Sequence, residues 1–177
     1  AINHGNSGGG LFNEMGELIG IVNARSDEES IVAFGYAIPA NRALLIAQNV
    51  IDNAQYSQGA VRASLGGVTV YAYCSHALYY EQTGKIYSEE QVALRSVTSG
   101  SAAAKMGLDV GDTLLPARVE RGGQTVLSAA ITRDDRLGEL LYGVRLGDTL
   151  HLSVSRRGEV WEYSYTFSSV SDFTEIL

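Results

Sequence analysis

Glycine occurs at short intervals along this chain, whereas proline is almost absent. The 177 residues include 20 glycines and two prolines, and the glycines separate short apolar runs. Short apolar runs bounded by glycine turns indicate strands rather than long helices. The sequence therefore predicts a mainly β fold with many tight turns and few helices.

Composition excludes several classes of protein. Hydrophobic residues make up 45% of the chain and charged residues 19%, so a core can be buried. The net charge of -7 argues against a nucleic-acid-binding surface and against an anionic membrane surface. The single cysteine, Cys74, excludes an internal disulfide and a cysteine-based metal cluster. No apolar run reaches the roughly 18 residues of a membrane span. We predict no metal and no cofactor.

The predicted elements fall into two regions joined by a short polar linker at 54–59. The first region has strands at 11–12, 17–24 and 31–38, then a helix at 41–53 that Asn41 caps and that Leu44, Ala47 and Ile51 make amphipathic. The second region occupies 60–168, shows no internal repeat and ends in a frayed tail at 169–177. It has predicted strands at 61–74, 92–97, 113–119, 125–127, 149–155 and 160–167, and predicted helices at 77–82, 101–106 and 134–143.

The stretch Gly5-Asn6-Ser7-Gly8-Gly9 has the composition of a nucleophile loop. A nucleophilic serine needs a tight loop that leaves its hydroxyl free, and small neighbours let a substrate carbonyl approach converging backbone N–H groups. A plain flexible loop is the alternative. A phosphate-binding loop is excluded because the GxxxxGK[ST] spacing and a nearby lysine are missing.

Two further motifs follow the serine loop in order. Gly16-Glu17-Leu18-Ile19-Gly20-Ile21-Val22-Asn23 comes first, and Phe34-Gly35-Tyr36-Ala37-Ile38-Pro39 leads into the predicted helix. With the serine loop, this order resembles the C-terminal end of the protease domain in trypsin-like serine proteases of the HtrA (DegP-like) family. The resemblance covers residues 1–53 and implies an incomplete C-terminal segment of a trypsin-like β-barrel, so we expect this chain to continue a longer one.

The resemblance implies roles for particular residues. Ser7 would be the nucleophile, and the backbone N–H groups of Gly5 and Ser7 would form the oxyanion hole. An apolar pocket without an aspartate at its base implies a small aliphatic residue before the scissile bond. His4 and Gly10 depart from the family pattern and imply a more mobile loop. The implied substrate-binding residues are Ala1, Ile2, Ile21, Val22, Asn23, Gly35, Tyr36 and Ala37.

The general base that a serine nucleophile needs is missing from the sequence. An imidazole oriented by a carboxylate must lie beside the hydroxyl, and in this family both groups precede the serine. None of His4, His76 and His151 matches the family's base, and His151 alternates outward between two leucines. We therefore expect the chain by itself to be catalytically incomplete.

The region 96–112 carries a second resemblance. Its alanine-rich helix is ended by Gly107 and followed by a turn at Gly111-Asp112, and it resembles the GSPAxxAGLxxGDxI stretch of PDZ domains. This implies a PDZ domain at 60–168, a small β-sandwich with two helices. A glycine replaces a larger residue of the usual GLGF loop, and 73–91 resembles an insertion. A peptide would add as a strand beside 68–72, and the residues implied to bind it are Leu65, Gly66, Gly67, Val68, Val70, Leu137 and Leu141.

The favoured interpretation is the C-terminal part of an HtrA-type serine endopeptidase, with a PDZ domain that binds peptide C-termini or unfolded segments. The alternative is a non-catalytic PDZ peptide-binding module attached to a degenerate protease. The resemblance also implies a periplasmic, cell-surface or membrane-anchored location. Because half a barrel exposes strand edges, we expect a homo-oligomer formed through residues 10–40.

Overall fold

The protein is mainly β, as the glycine pattern predicts, and the computed structural model describes residues 5–25, 35–57, 59–66, 68–80 and 84–175. Within these described residues, three α-helices and one short 3₁₀ helix interrupt the strands. The strands are β1 (Gly10–Phe12), β2 (Leu18–Arg25), β3 (Gly35–Pro39), β4 (Val61–Ala63), β5 (Thr69–Tyr80), β6 (Lys85–Ser96), β7 (Thr113–Arg121), β8 (Gln124–Ala129), β9 (Thr149–Arg156), β10 (Glu159–Thr166) and β11 (Phe173–Glu175). The helices are α1 (Ala40–Asn53), α2 (Ala102–Met106) and α3 (Asp134–Tyr142), with the 3₁₀ helix at Val170–Asp172.

The N-terminal sheet is an antiparallel meander in the order β1-β2-β3. Asn13 closes the turn between β1 and β2, because its Oδ1 accepts hydrogen bonds from the Met15 and Glu17 amides. β3 passes directly into α1. The predicted cap at Asn41 is wrong: Pro39 occupies the N-cap position without a side-chain bond, and Asn41 instead accepts from the Arg42 amide. Of the strand predicted at 31–38, residues 31–34 lie outside the described residues.

The C-terminal sheet has the order β10-β9-β7-β6-β5, with β8 paired to β7, while β4 and β11 form a separate pair. Its core is aliphatic and continuous, because alternate residues of β9 point inward: Leu150, Leu152 and Val154 are fully buried. α2 ends as the sequence predicts, because Gly107 stops it in the left-handed conformation at φ +88°, and Ser101, predicted as its first residue, is its N-cap. Both α2 and α3 contribute buried side chains to this core.

Two turns of similar sequence form arginine–aspartate ion pairs at the two ends of the central β7–β9 pair. The sequence Gly-Asp-Thr-Leu occurs at 111–114 and again at 147–150, so the chain does contain a short repeat. In each copy the buried aspartate receives a two-pronged arginine: Arg156 binds Asp112 at 2.6 and 2.7 Å, and Arg121 binds Asp148 at 2.8 and 2.7 Å. Arg156 ends β9 and binds the aspartate just before β7, whereas Arg121 ends β7 and binds the aspartate just before β9. Because the two strands are antiparallel, one such pair lies at each end.

α1 packs on α3 through a polar face, and not through the apolar face that its sequence periodicity predicts. Leu44 and Ile51 are 68% and 67% exposed, whereas Asn49 and Asn53 are the buried residues of this helix. Two ion pairs flank the contact, Arg42 with Glu139 at 3.4 Å and Arg145 with Asp52. The predicted apolar stripe of α1 therefore faces away from the C-terminal sheet.

Two predicted elements are wrong. The helix predicted at 77–82 is strand as far as it is described, since residues 77–80 continue β5 and pair with 85–88 of β6. The tail at 169–177 is not frayed up to residue 175: Ser169 and Asp172 form a capping box, and β11 pairs with β4. No helix among the described residues is long and apolar enough to span a bilayer.

Candidate functional site

The serine loop is held against β2 by backbone hydrogen bonds. The Gly8 amide donates to the Val22 carbonyl at 2.8 Å, and the Val22 amide donates to the Gly9 carbonyl at 2.9 Å. Gly5 and Gly8 adopt φ values of +97° and +85°, which residues with a Cβ rarely reach. The glycines therefore serve a defined turn, and the plain flexible loop is not what the structure shows.

Ser7 stands at the exposed surface of this loop. Its Oγ donates a hydrogen bond of 3.2 Å to the Asn23 carbonyl, which is the only hydrogen bond found for this hydroxyl among the described residues. No histidine or carboxylate contacts Ser7 in the part of the chain that the structure describes. A hydroxyl without a base is a weak nucleophile, so the described residues expose the Ser7 hydroxyl without a group that would activate it.

Most of the predicted substrate-binding residues lie on the two strands beside this loop. β2 carries Ile21, Val22 and Asn23, and β3 pairs with it so that Val22 lies opposite Ala37 and Ala24 opposite Tyr36. Tyr36 is 57% exposed, while Val22 is buried. Gly35 begins β3 opposite Arg25. Ala1 and Ile2, as well as His4, lie outside the described residues.

The predicted peptide-binding residues meet in one groove between β5 and α3. Leu65, Gly66, Val68, Val70, Leu137 and Leu141 all line a groove of about 290 Å³. Gly67 lies outside the described residues. The leucines of α3 are buried and the two valines are half-buried, so the floor of this groove is apolar.

The loop before β5 is fixed in place by α2. The Leu65 carbonyl accepts a hydrogen bond of 3.0 Å from the Ala103 amide, and the Gly66 amide donates to Ser64 Oγ at 3.1 Å. Gly66 has φ +77°, and a Cβ built on it would lie 2.5 Å from the Ser101 Cβ. Only glycine fits at this close approach.

Charged groups at the groove were missed in the sequence. Arg62 and Asp134 line it together with Ser64 and Gly138. The Arg62 guanidinium lies 5.7 Å from the centre of the Tyr142 ring, where it is placed for a cation–π contact. The alternation of β4 places Arg62 on the exposed face between two buried residues, but nothing in the sequence connects that face to α3.

The remaining histidines and the cysteine singled out in the sequence lie outside both candidate sites. His151 is partly buried rather than fully outward, and its nitrogens lie 3.6 Å from Glu120 and 3.7 Å from Glu162. Of Cys74 and His76, the structure gives the strand position only: both lie in β5. Within the described residues, no group of three or more His, Cys, Asp or Glu side chains is arranged to hold a metal ion.

Comparisons with known proteins agree with the sequence resemblance. A scan against protein-family models finds no match. The chain is 30% identical over 165 residues to the serine protease Do-like HtrA of Lactobacillus helveticus, with 90% of this chain and 37% of that protein aligned. It is 29% identical over 171 residues to the protein of the same name from Bacillus subtilis, with 90% of this chain and 33% of that protein aligned. It is 37% identical over 116 residues to the periplasmic pH-dependent serine endoprotease DegQ of Escherichia coli, with 64% of this chain and 24% of that protein aligned.

Solved structures give the same answer. The HtrA-type protease AlgW with tripeptide matches at a TM-score of 0.59 and 26% identity, covering 94% of this chain and 50% of that one. The same protease with decapeptide matches at a TM-score of 0.55 and 27% identity, covering 92% and 45%. The chain spans about a third of the length of the curated relatives that align over most of it. The chain is an HtrA-like segment, similar over most of its length to part of the HtrA-type serine proteases.

Proposed function

We propose that Ser7 is the nucleophile of a serine endopeptidase and that the N–H groups of Gly5 and Ser7 form its oxyanion hole. The observation that carries this proposal is the exposed hydroxyl of Ser7 on a glycine turn pinned to β2. Attack of Oγ on a peptide carbonyl forms a tetrahedral intermediate whose oxyanion needs N–H donors at this turn. The hydroxyl proton passes to a base from outside the described residues and then to the leaving amine.

The surroundings of Ser7 support an extended apolar substrate. Ile21 and Val22 are already paired on both sides, because β2 is the central strand of its sheet, so a substrate backbone would approach this strand at its end, beside Asn23. Ala37 is small and half-buried on the facing strand. We infer a small aliphatic residue before the scissile bond, and, by likeness to DegQ, a location outside the cytoplasm.

Labelling with a fluorophosphonate tests the nucleophile. The protein as its gene encodes it should be labelled at Ser7, and Ser7→Ala should abolish both labelling and peptide cleavage. Ser99→Ala, which alters an exposed loop serine, is the matched control and should be labelled normally. The 177-residue chain alone should remain unlabelled, because no histidine or carboxylate contacts Ser7 among the residues that the structure describes. Absence of labelling in the encoded protein would favour the non-catalytic peptide-binding module.

We further propose that residues 60–168 form a PDZ domain that binds peptide C-termini in the groove between β5 and α3. The apolar floor fits an apolar last residue, and we place its carboxylate at the loop that begins at Leu65, beside Arg62. Arg62 supplies the nearby positive charge that a carboxylate requires.

Matched peptides test this groove. Peptides with an apolar last residue and a free carboxylate should bind the chain, and their C-terminal amides should bind at least about tenfold more weakly. Arg62→Ala should reduce that preference, whereas Arg133→Ala, which alters an exposed arginine beside the start of α3 but not among the groove residues, should not. Equal affinity for acids and amides would reject carboxylate recognition.

A further inference from the structure

β5 is unusually long for a strand that borders a small groove. It runs for 12 residues, from Thr69 to Tyr80, which corresponds to about 40 Å of extended chain. Along one edge it pairs with β6 between Thr69 and Tyr80, with register shifts after Thr69 and between Cys74 and His76. It is the last strand of the C-terminal sheet, and none of the described strands pairs with its other edge. Backbone donors and acceptors therefore remain available along the outer edge of β5, on both sides of the irregularity at Ser75.

The sequence of β5 carries none of the residues that block an edge. Exposed edge strands are ordinarily protected by proline, by lysine or other charged residues, by β-bulges or by being short, and of these β5 has only a register irregularity between Cys74 and His76. The segment Thr-Val-Tyr-Ala-Tyr-Cys-Ser-His-Ala-Leu-Tyr-Tyr contains no proline, glycine, lysine, arginine or acidic residue. Its tyrosine and β-branched residues favour strand formation. This composition is that of a strand with neighbours on both sides.

Much of the β5–β6 hairpin also extends beyond the rest of the sheet. β6 pairs with β7 at a single position, Ala93 with Thr113. The part of the hairpin formed by residues 73–80 and 85–91 is therefore a ribbon of two strands among the described residues. Isolated two-stranded ribbons are marginally stable in water, and a third strand is what stabilises them.

The free edge is continuous with the groove. Val68 and Val70, at the start of β5, line the groove together with the loop residues Leu65 and Gly66. A peptide whose carboxylate sits at this loop and whose backbone runs antiparallel to β5 places its earlier residues progressively toward Tyr80. A peptide of four residues covers only the first third of the strand, so most of the edge would stay unpaired.

We propose that the groove's ligand is an extended peptide segment of about ten to twelve residues that pairs as an added strand along the whole of Thr69–Tyr80. This inference rests on the proposed carboxylate recognition and adds its length requirement. The upstream residues are bound through their backbone, so their identity matters little as long as they can remain extended and donate hydrogen bonds. The ligand class is therefore the unfolded C-terminal segment of a protein rather than a short terminal tag.

A series of peptides tests the length requirement. Peptides of 4, 8 and 12 residues share the same apolar last four residues and a threonine-rich upstream part, and their binding to the 177-residue chain is measured by fluorescence anisotropy. The 12-residue peptide should bind about tenfold more tightly than the 4-residue peptide. A 12-residue peptide with prolines at alternate upstream positions should bind like the 4-residue one, because proline lacks the backbone donor. An alanine-substituted peptide is the matched control and should retain the full gain.

A shortened hairpin gives the complementary test in the protein. Replacing residues 74–90 by Asn-Gly joins Tyr73 to its register partner Gln91 through a two-residue turn. This variant should bind the 12-residue and 4-residue peptides equally. Hydrogen exchange on the unaltered chain provides a second readout should the variant not fold: the 12-residue peptide should protect amides of residues 73–80, and the 4-residue peptide should not.

The outcomes separate the two proposals. If free acids bind better than amides but all lengths bind equally, the groove stands and the extended edge is overturned. If no peptide binds, both fall together. If sedimentation shows a dimer that the shortened hairpin abolishes and that peptides do not compete with, the edge belongs to a second copy, and the extended-ligand proposal is overturned.

Discussion

The side-chain amide of Asn49 donates a hydrogen bond of 2.6 Å to the carbonyl oxygen of Tyr142. Asn49 lies in α1, directly after the N-terminal sheet, and Tyr142 is the last residue of α3, which lines the groove. The same Asn49 side chain accepts a hydrogen bond of 2.9 Å from the Val61 amide at the start of β4. One buried amide thus connects α1 to two elements of the C-terminal unit.

Replacing Asn49 should destabilise the whole contact between α1 and α3. Asn49→Ala leaves a buried carbonyl and a buried amide without partners, so we expect the free energy of unfolding to fall by about 2–4 kcal/mol. Urea unfolding measures this change. Asn41→Ala, on the exposed side of the first turn, is the control and should cost less than about 1 kcal/mol. Similar losses in both variants would show that the contact contributes little.

The Asp112–Arg156 pair should make stability depend on acid pH. Burial acts to raise the pKa of Asp112, but hydrogen bonds from Arg156 and from the Asp109 amide outweigh it, and the pKa is lowered overall. A carboxyl whose pKa is lowered by folding stabilises the protein above about pH 3.9, its unfolded value, and loses that contribution as the pH falls toward the folded pKa. Urea unfolding between pH 7 and pH 3 should show this loss.

Asp112→Asn should remove this part of the acid dependence. It should also lower the free energy of unfolding at pH 7 by about 2–3 kcal/mol, at the low end for a buried pair because Arg156 is 30% exposed. Asp109→Asn, on the exposed turn, is the matched control. An unchanged pH profile in Asp112→Asn would contradict the assignment.

Alanine substitutions at Gly66 and Gly100 distinguish the cost of backbone strain from the cost of steric overlap. Both adopt a left-handed conformation, at φ +77° and +75°, but a Cβ at Gly66 would meet Ser101 whereas none of the described atoms lies within 4 Å of one at Gly100. Alanine at either position costs about 1–2 kcal/mol for the backbone, and Gly66→Ala should cost at least about 1 kcal/mol more. It should also weaken peptide binding at the groove. Equal free energies of unfolding for the two variants would mean that the loop around Gly66 accommodates the added Cβ without loss of stability.

The N-terminal sheet leaves large apolar side chains exposed, which leads us to expect self-association of the chain. Phe12, Leu18 and Ile19 are 59%, 45% and 49% exposed. Sedimentation should show a dimer, and Phe12→Ser combined with Ile19→Asn should yield a monomer. Val126→Ser, an exposed valine on β8, is the control and should leave the dimer intact. A monomeric unaltered chain would rule out an interface at residues 10–40.

Much of the local structure could be predicted because it depends on neighbours in sequence. Ser101 and Gly107 bound α2 because capping and left-handed termination need only the residues beside them. The alternation at 150–154 predicted the buried face of β9, and short motifs led to residues that line one groove between β5 and α3. These features are determined by the sequence itself.

Tertiary structure decided which partners those elements meet. The segment 77–80 is compatible with helix or strand, and pairing with β6 makes it a strand. The periodicity of α1 shows an apolar face, but α3 offers the Tyr142 carbonyl and the Glu139 carboxylate, so α1 buries asparagines on another face. Arg121 and Asp148 are 27 residues apart, so no local pattern in the sequence indicates that they form a pair. Local patterns show that a face or a charge exists, while only the folded chain brings its partner within bonding distance.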